Sequence, residues 1–347
     1  MKNTVSSELK ELYQTKKAEQ PNIRIRDAAK QLDVTELELL ELELGGNVIR
    51  LKNDFQGILK DIKSLGYVMA LTRNNWAVHE RKGVYDNISF MKNAKMGVAV
   101  NPDIDLRFLM ANWRYAYAVR LEKGHRTMFS VQFFSTHGEA IHKIYLTGRS
   151  NPEAYQALIK KYKSRYQNSP VNITSKPPAP AAEKPDEAID VEGFRKGWLA
   201  LQDTHDFFPL LKNFEVSRRQ ALRLAPEGLA YEVKNESIIE LFEQAAAGEV
   251  PIMVFLNSPG CIQIHTGPVK KLVMMKNWFN VMDKEFNLHL NMDGVHASWV
   301  VKKPTKDGMV HSLELFDADG KLIVYCFGKR KPGLPELESW KALIDKL

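Results

Sequence analysis

The sequence predicts an α+β protein built as a tandem duplication of one unit, each copy an antiparallel meander sheet packed with helices. Three observations carry this. A long segment recurs without gaps, helical periodicities precede strand-like runs in both copies, and successive strands are separated by short turns rather than by crossover helices.

The repeat comes first, because it sets the scale of the fold. Asp105–Gly138 (DLRFLMANWRYAYAVRLEKGHRTMFSVQFFSTHG) aligns with Asn287–Gly320 (NLHLNMDGVHASWVVKKPTKDGMVHSLELFDADG) at an offset of 182 residues. Val119 falls on Val301, Arg120 on Lys302, Ser130 on Ser312, Phe134 on Phe316 and Gly138 on Gly320. Tyr155–Ile159 (YQALI) parallels Trp340–Ile344 (WKALI), and Ala77–Val84 parallels Cys261–Pro268.

Helical spacing marks Ser6–Ala18, Ile25–Gln31, Glu36–Leu44 and Asn53–Leu65 in the first copy. It marks Val191–Phe214, Arg218–Leu224 and Ser237–Ala247 in the second. Runs rich in β-branched and aromatic residues predict strands at Tyr67–Thr72, Trp76–Glu80, Met96–Asn101, Trp113–Glu122 and Thr127–Ser135. The second copy repeats them at Pro251–Leu256, Ile262–Thr266, Val269–Lys276, Leu288–Met292, His296–Lys303, His311–Phe316 and Lys321–Phe327. Helices Pro152–Arg165 and Leu334–Leu347 close the copies. Tyr166–Glu187 is rich in proline, alanine and charge and predicts an extended linker. The expected organisation is residues 1–165, a linker at 166–187, and 188–347.

The 347 residues are 44% hydrophobic and 26% charged, enough to bury two ordinary cores. No apolar run reaches the ~20 residues of a membrane span, and the N-terminus lacks the features of a signal peptide. Two cysteines, Cys261 and Cys326, suit a reducing compartment and leave no disulfide framework. A soluble, cytoplasmic protein is expected. The net charge of +7 favours anionic partners: nucleic acid, a membrane surface, or a carboxylate- or phosphate-bearing small molecule.

Gly-rich phosphate loops, HExxH and GxSxG are absent from the sequence, as are flavin and nicotinamide motifs. One histidine stands out by its setting. Read as one helix, Val191–Phe214 places Phe194, Trp198, Leu201, His205 and Phe208 on a single face, with Pro209 ending or kinking the helix beyond. An imidazole among apolar groups near a helix end suits an axial ligand to a flat metal cofactor such as haem. The competing reading is a core histidine bonded to backbone, Asp203 or Asp206. His79, between Val78 and Glu80 on a strand-like run, is a second ligand candidate against a surface hydrogen-bonding role. Its counterpart in the second copy is Gln263. Met274 and Met275 read as core filler.

Cations gather in the second copy: Arg218 and Arg219 after His205, then Lys302, Lys303, Lys329, Arg330 and Lys331. They could hold carboxylates or form a solvated basic surface. With Tyr325 and Phe327 interleaved, they also allow a nucleic-acid-binding protein with aromatic-lined strands.

Five segments together resemble the HemS/ChuS/PhuS family of haemin-degrading and haem-trafficking proteins. These are Asp203–Lys212 (DTHDFFPLLK), Arg73–Glu80 (RNNWAVHE), Trp299–Gly308 (WVVKKPTKDG), Ser312–Phe316 (SLELF) and Gly328–Arg330 (GKR). The resemblance spans nearly the whole chain, including its duplication. It implies a bacterial cytoplasmic haem-binding protein of haem uptake and iron acquisition, holding haem for transfer or for oxidative degradation. In that light His205 matches the axial iron ligand, Arg107 a distal arginine, and Arg218, Lys303 and Arg330 the cations near the propionates. Phe255 matches an apolar wall residue, and His79 a possible secondary haem site. Leu109 stands where the family has an aromatic, and Tyr325 and Phe327 where it has a glutamine/tyrosine pair. The implied partners are haem and a haem-importer component, a haem oxygenase or a reductase. Any turnover would need an external electron donor.

Overall fold

The computed structural model describes residues 2–92, 95–169, 171, 173–174, 182–331 and 333–347. Its first part runs α1 (Lys2–Glu19), α2 (Ile25–Gln31), α3 (Glu36–Glu41), β1 (Val48–Arg50), α4 (Phe55–Asp61), β2 (Gly66–Arg73), β3 (Ala77–Val84), β4 (Ile88–Phe90), β5 (Met96–Val100), β6 (Asp105–Leu109), β7 (Trp113–Lys123), β8 (Arg126–Ser135), β9 (Ala140–Ser150) and α5 (Pro152–Tyr162). The second runs α6 (Val191–Leu199), α7 (Phe207–Phe214), α8 (Arg218–Leu224), β10 (Ala230–Val233), α9 (Ser237–Ala247), β11 (Ile252–Asn257), β12 (Cys261–Gly267), β13 (Leu272–Met275), β14 (Trp278–Met282), β15 (Phe286–Asn291), β16 (Ala297–Thr305), β17 (Gly308–Phe316), β18 (Leu322–Gly328) and α10 (Glu338–Ile344). No helix among the described residues is long and apolar enough to cross a membrane.

The chain forms two compact units. Unit 1 comprises Met1–Arg73, Arg81–Pro178 and Ser258–Ile262; unit 2 comprises Asn74–Glu80, Ala179–Asn257 and Gln263–Leu347. Unit 1 orders five antiparallel strands as β1-β7-β8-β9-β2. Unit 2 orders its counterparts in the same way, as β10-β16-β17-β18-β11. Each also carries a three-stranded ribbon, β4-β5-β6 in unit 1 and β13-β14-β15 in unit 2. The α+β duplication expected from the repeat is the architecture observed.

The repeat holds in backbone detail. Gly138 and Gly320 follow β8 and β17 with φ of 74° and 73°, a conformation that glycine reaches without strain. Thr35 and Ser217, also 182 residues apart, cap α3 and α8 by accepting the N–H of Glu38 and of Gln220. Such caps are worth about 1 kcal/mol each.

In unit 2 the sheet is buried on both faces. Val300, Leu313, Leu315, Val324, Cys326, Val254 and Leu256 face a core completed by α9 and α10. There Trp340 is fully buried against Gly328, where a Cβ would lie 2.4 Å from the indole. Val301 and Phe316 face the cluster built by Phe194, Trp198, Phe207, Leu211 and Ala221 of α6–α8.

Parts of the Pro/Ala-rich segment, residues 170, 172 and 175–181, lie outside the described residues. The described parts are anchored. Val171 and Ile173 pack on the cluster around Leu37 and Phe134, and the Thr174 N–H donates to Thr136 O at 3.0 Å. Beyond, Lys184 O accepts from Gln220 Nε2 at 2.7 Å.

Three local expectations are corrected. Val191–Phe214 is not one helix: α6 ends at Leu199, a 3-10 turn covers Thr204–Asp206, and α7 starts at Phe207. Asp203 and Asp206 form a capping box that begins a new helix, and Pro209 sits in the first turn of α7, where a missing N–H costs nothing. Phe208 consequently points outward, 71% exposed. Met274 and Met275, expected as core, are exposed on β13, which pairs only with β14 in its ribbon. Strands β1, β4, β6, β9, β10 and β14 were not expected and complete the two sheets and ribbons.

Candidate functional site

The His205 turn is positioned from below. Phe207, 2% exposed, stacks edge-on against Trp198 at 4.7 Å, and the Trp198 indole N–H donates to Lys302 O at 3.0 Å. Between these anchors Leu201 is also buried, whereas Gln202, His205 and Asp206 are exposed. The His205 side chain is 93% exposed, so it is not a core histidine. Its imidazole is nonetheless held: Nδ1 lies 2.6 Å from Asp203 Oδ1, which also accepts the His205 backbone N–H at 2.9 Å. The backbone hydrogen bond from His205 is the largest influence on the Asp203 carboxyl and holds it below its usual range, with smaller help from the imidazole and from Arg330. An ionised Asp203 can only accept, so Nδ1 carries the proton and the free lone pair is on Nε2.

A cationic cluster lies on the adjoining sheet face. Glu314, near the C-terminal end of β17, is fully buried. Arg218, first residue of α8, donates to it from Nε and Nη2 at 2.7 Å each. Lys303 Nζ donates at 2.8 Å and Ser312 Oγ at 3.1 Å. Burial alone would raise the Glu314 carboxyl; Arg218 and Lys303 outweigh it and hold it well below the ordinary range. Burial pulls the Lys303 ammonium down to about 8, with Glu314 opposing and Arg218 reinforcing. The three side chains sum to one positive charge. The Arg218 side chain remains 26% exposed.

Aromatic rings flank these cations. Phe255 stacks on Tyr325 at 4.8 Å and meets Phe327 edge-on at 5.4 Å. Register explains the grouping: Phe255 pairs with Tyr325, which pairs with Glu314 across β18–β17. The Arg218 guanidinium sits 5.4 Å from the Phe207 ring and 5.6 Å from Tyr325, and Lys303 Nζ sits 4.6 Å from Phe207. Of the residues singled out in the sequence, Arg218, Phe255, Lys303, Tyr325 and Phe327 thus share one face of unit 2, with His205 on the neighbouring turn and Arg330 two residues beyond the end of β18.

Two others have different local settings. Arg107 is in β6 of unit 1, where Asp105 and Leu106 O hold its guanidinium. His79 is fully buried, its ring 4.9 Å from that of Phe286. Glu314 was not singled out in the sequence, and Asp203 was named there only as a bonding partner of a core histidine, a bond that is present although the histidine is exposed. A lone glutamate inside SLELF was the available signal, because a carboxylate at a core strand position demands buried cations.

Unit 1 places different chemistry at the equivalent positions. Glu36 replaces Arg218 as first residue of its helix, and Lys143 replaces Tyr325. The two form a buried ion pair joined by Arg73 at 3.3 Å. Leu121 stands for Lys303 and Ile23 for His205.

The fold and this site define a class: a duplicated α+β protein whose second unit sets an exposed, carboxylate-bonded histidine beside a cationic, aromatic sheet face. The haemin-degrading HemS.ChuX domain matches the chain twice, over residues 33–162 and 215–347. The hemin transport protein HemS of Yersinia enterocolitica is 36% identical over 345 residues, covering 99% of this chain and 98% of that one. Holo-PhuS, a heme-binding protein from Pseudomonas aeruginosa, superposes with a TM-score of 0.95 at 44% identity, covering 99% of both chains. The heme degrading enzyme ChuS of Escherichia coli O157:H7 superposes at 0.89 with 32% identity, covering 97% of both. The chain belongs to the HemS/ChuS/PhuS family.

Proposed function

We propose that this protein binds haem on unit 2 in the cytoplasm, as part of bacterial haem uptake and iron acquisition. The observation that carries the reading is the exposed His205 imidazole, fixed by Asp203 with its Nε2 lone pair free, beside a cluster with surplus positive charge. Nε2 of His205 would hold the haem iron. Arg218, Lys303 and Arg330 offset the two propionates, and Phe255, Tyr325 and Phe327 supply apolar wall for the macrocycle. The family resemblance also names Arg107 as a haem-site residue. The burial of His79 makes it the weaker of the two histidine candidates, since a haem there would have to open the core.

Three of the seven cations that also suited a nucleic-acid groove are paired within the protein. Lys303 and Arg218 are bonded to Glu314, and Lys302 lies 3.9 Å from Asp345. The partners of the haem reading are an importer component that delivers haem and a haem oxygenase or reductase downstream. Haemin titration followed by visible absorption tests it: saturation near one haem per chain supports the site. Adding ascorbate to the loaded protein then separates the two fates. Progressive loss of the haem band marks cleavage, and a stable band with transfer to apo haem oxygenase marks a carrier.

A further inference from the structure

We infer that Asp203 is a positioning residue for the iron ligand, one whose negative charge, and not only its hydrogen bond, sets the donor strength of His205. This rests on the haem reading above. The geometry is specific. One carboxylate oxygen, Asp203 Oδ1, accepts both the His205 backbone N–H at 2.9 Å and the His205 Nδ1–H at 2.6 Å. The backbone bond fixes where the residue starts, and the side-chain bond fixes how the ring is turned. Asp206 closes the other half of the box by accepting the Asp203 N–H at 3.0 Å. The turn is anchored by buried Phe207 and by Leu201, 5% exposed.

A ring 93% exposed would otherwise sample several rotamers. Holding it through Nδ1 fixes the tautomer and leaves Nε2 as the only nitrogen able to bind iron. A carboxylate on Nδ1–H also draws that proton toward itself and gives the ring imidazolate character, which strengthens donation from Nε2 and favours ferric over ferrous iron. The turn needs none of this charge. An asparagine in the same place caps a helix as well as aspartate does. The acid is the part of the arrangement that the backbone leaves unexplained.

That separation gives the test. Asp203→Asn retains an acceptor for both N–H groups and removes only the charge, whereas Asp206→Asn alters the same capping box without touching the imidazole. Both are loaded with haemin in the full-length protein beside wild type and His205→Ala. The measurements are haemin affinity, the iron–histidine stretching frequency of the ferrous protein by resonance Raman, and the ferric/ferrous midpoint potential. Asp203→Asn is expected to lower the stretching frequency, raise the potential and weaken haemin binding by roughly 10–100-fold, the usual cost of losing a ligand's outer partner. Asp206→Asn is expected to keep the wild-type frequency and potential. If Asp203→Asn matches wild type in both while His205→Ala changes the spectrum, Asp203 is a turn cap only and the inference falls, with the haem reading intact. If His205→Ala keeps the wild-type spectrum, the ligand assignment itself falls and takes the role of Asp203 with it.

Discussion

Glu314 grips Arg218 through two hydrogen bonds of 2.7 Å, one to each carboxylate oxygen, and the same carboxylate takes Lys303 at 2.8 Å. A buried carboxylate thus organises two cations from different elements, α8 and β16, on one face of the sheet. The cluster keeps a surplus positive charge, and the Arg218 guanidinium lies beside the rings of Phe207 and Tyr325.

Removing that hub leaves two buried cations without a counter-charge. Glu314→Gln should cost about 3–5 kcal/mol, the range for breaking a buried pair by deleting one partner. Urea unfolding of the apo protein measures it. Haemin, whose propionates supply negative charge, should raise the unfolding midpoint of the variant more than that of wild type. Equal shifts would mean that the propionates do not meet this cluster.

Lys303 gives the site a pH dependence. Its ammonium is charged below about 8 and neutral above, so haemin affinity should fall as pH rises from 7 to 9.5. Lys303→Met should bind more weakly at pH 7 and lose that step. Stability moves the other way. Because the folded value lies below the ordinary 10.5, the unfolded chain holds more protons between the two, and this group adds stability as pH rises through that window. Paired titrations and melts at pH 7 and 9.5 check both signs.

Unit 1 should show the acid counterpart. Burial pushes the Glu36 carboxyl up, but Lys143 and Arg73 overcome it and hold it at about 2, below the ordinary 4.5. Its stabilisation is therefore present above 4.5 and lost as pH falls toward 2, a term of order 3 kcal/mol. Glu36→Gln should destabilise at pH 7 and narrow the stability gap between pH 7 and pH 3. Haemin affinity at pH 7 should be unchanged in the folded variant.

The duplication was legible because strand residues and a turn glycine repeat at a constant spacing, as Ser130 with Ser312, Phe134 with Phe316 and Gly138 with Gly320 do. Helices Ile25–Gln31, Arg218–Leu224 and Ser237–Ala247 have the bounds that their periodicity predicts. Strand β9 was not legible: Ile141, His142, Lys143 and Ile144 are buried in succession, so apolar and polar residues do not alternate. Strands β1 and β4 are only three residues long, too short for a pattern. The break between α6 and α7 was hidden because Leu201, His205 and Phe208 happen to continue a helical spacing across a capping box. At the site, the cations were visible as charge on strands, but their partner Glu314 was not. Which buried carboxylate meets which cation is set by sheet register and not by sequence distance.

The most direct test of the haem site is the visible spectrum of haemin-loaded wild type beside haemin-loaded His205→Ala. Ligation by His205 predicts a sharp band at one haem per chain in wild type and a shifted or broadened band, with weaker binding, in the variant. Identical spectra and affinities would contradict it and move the ligand elsewhere, with His79 the next histidine to replace.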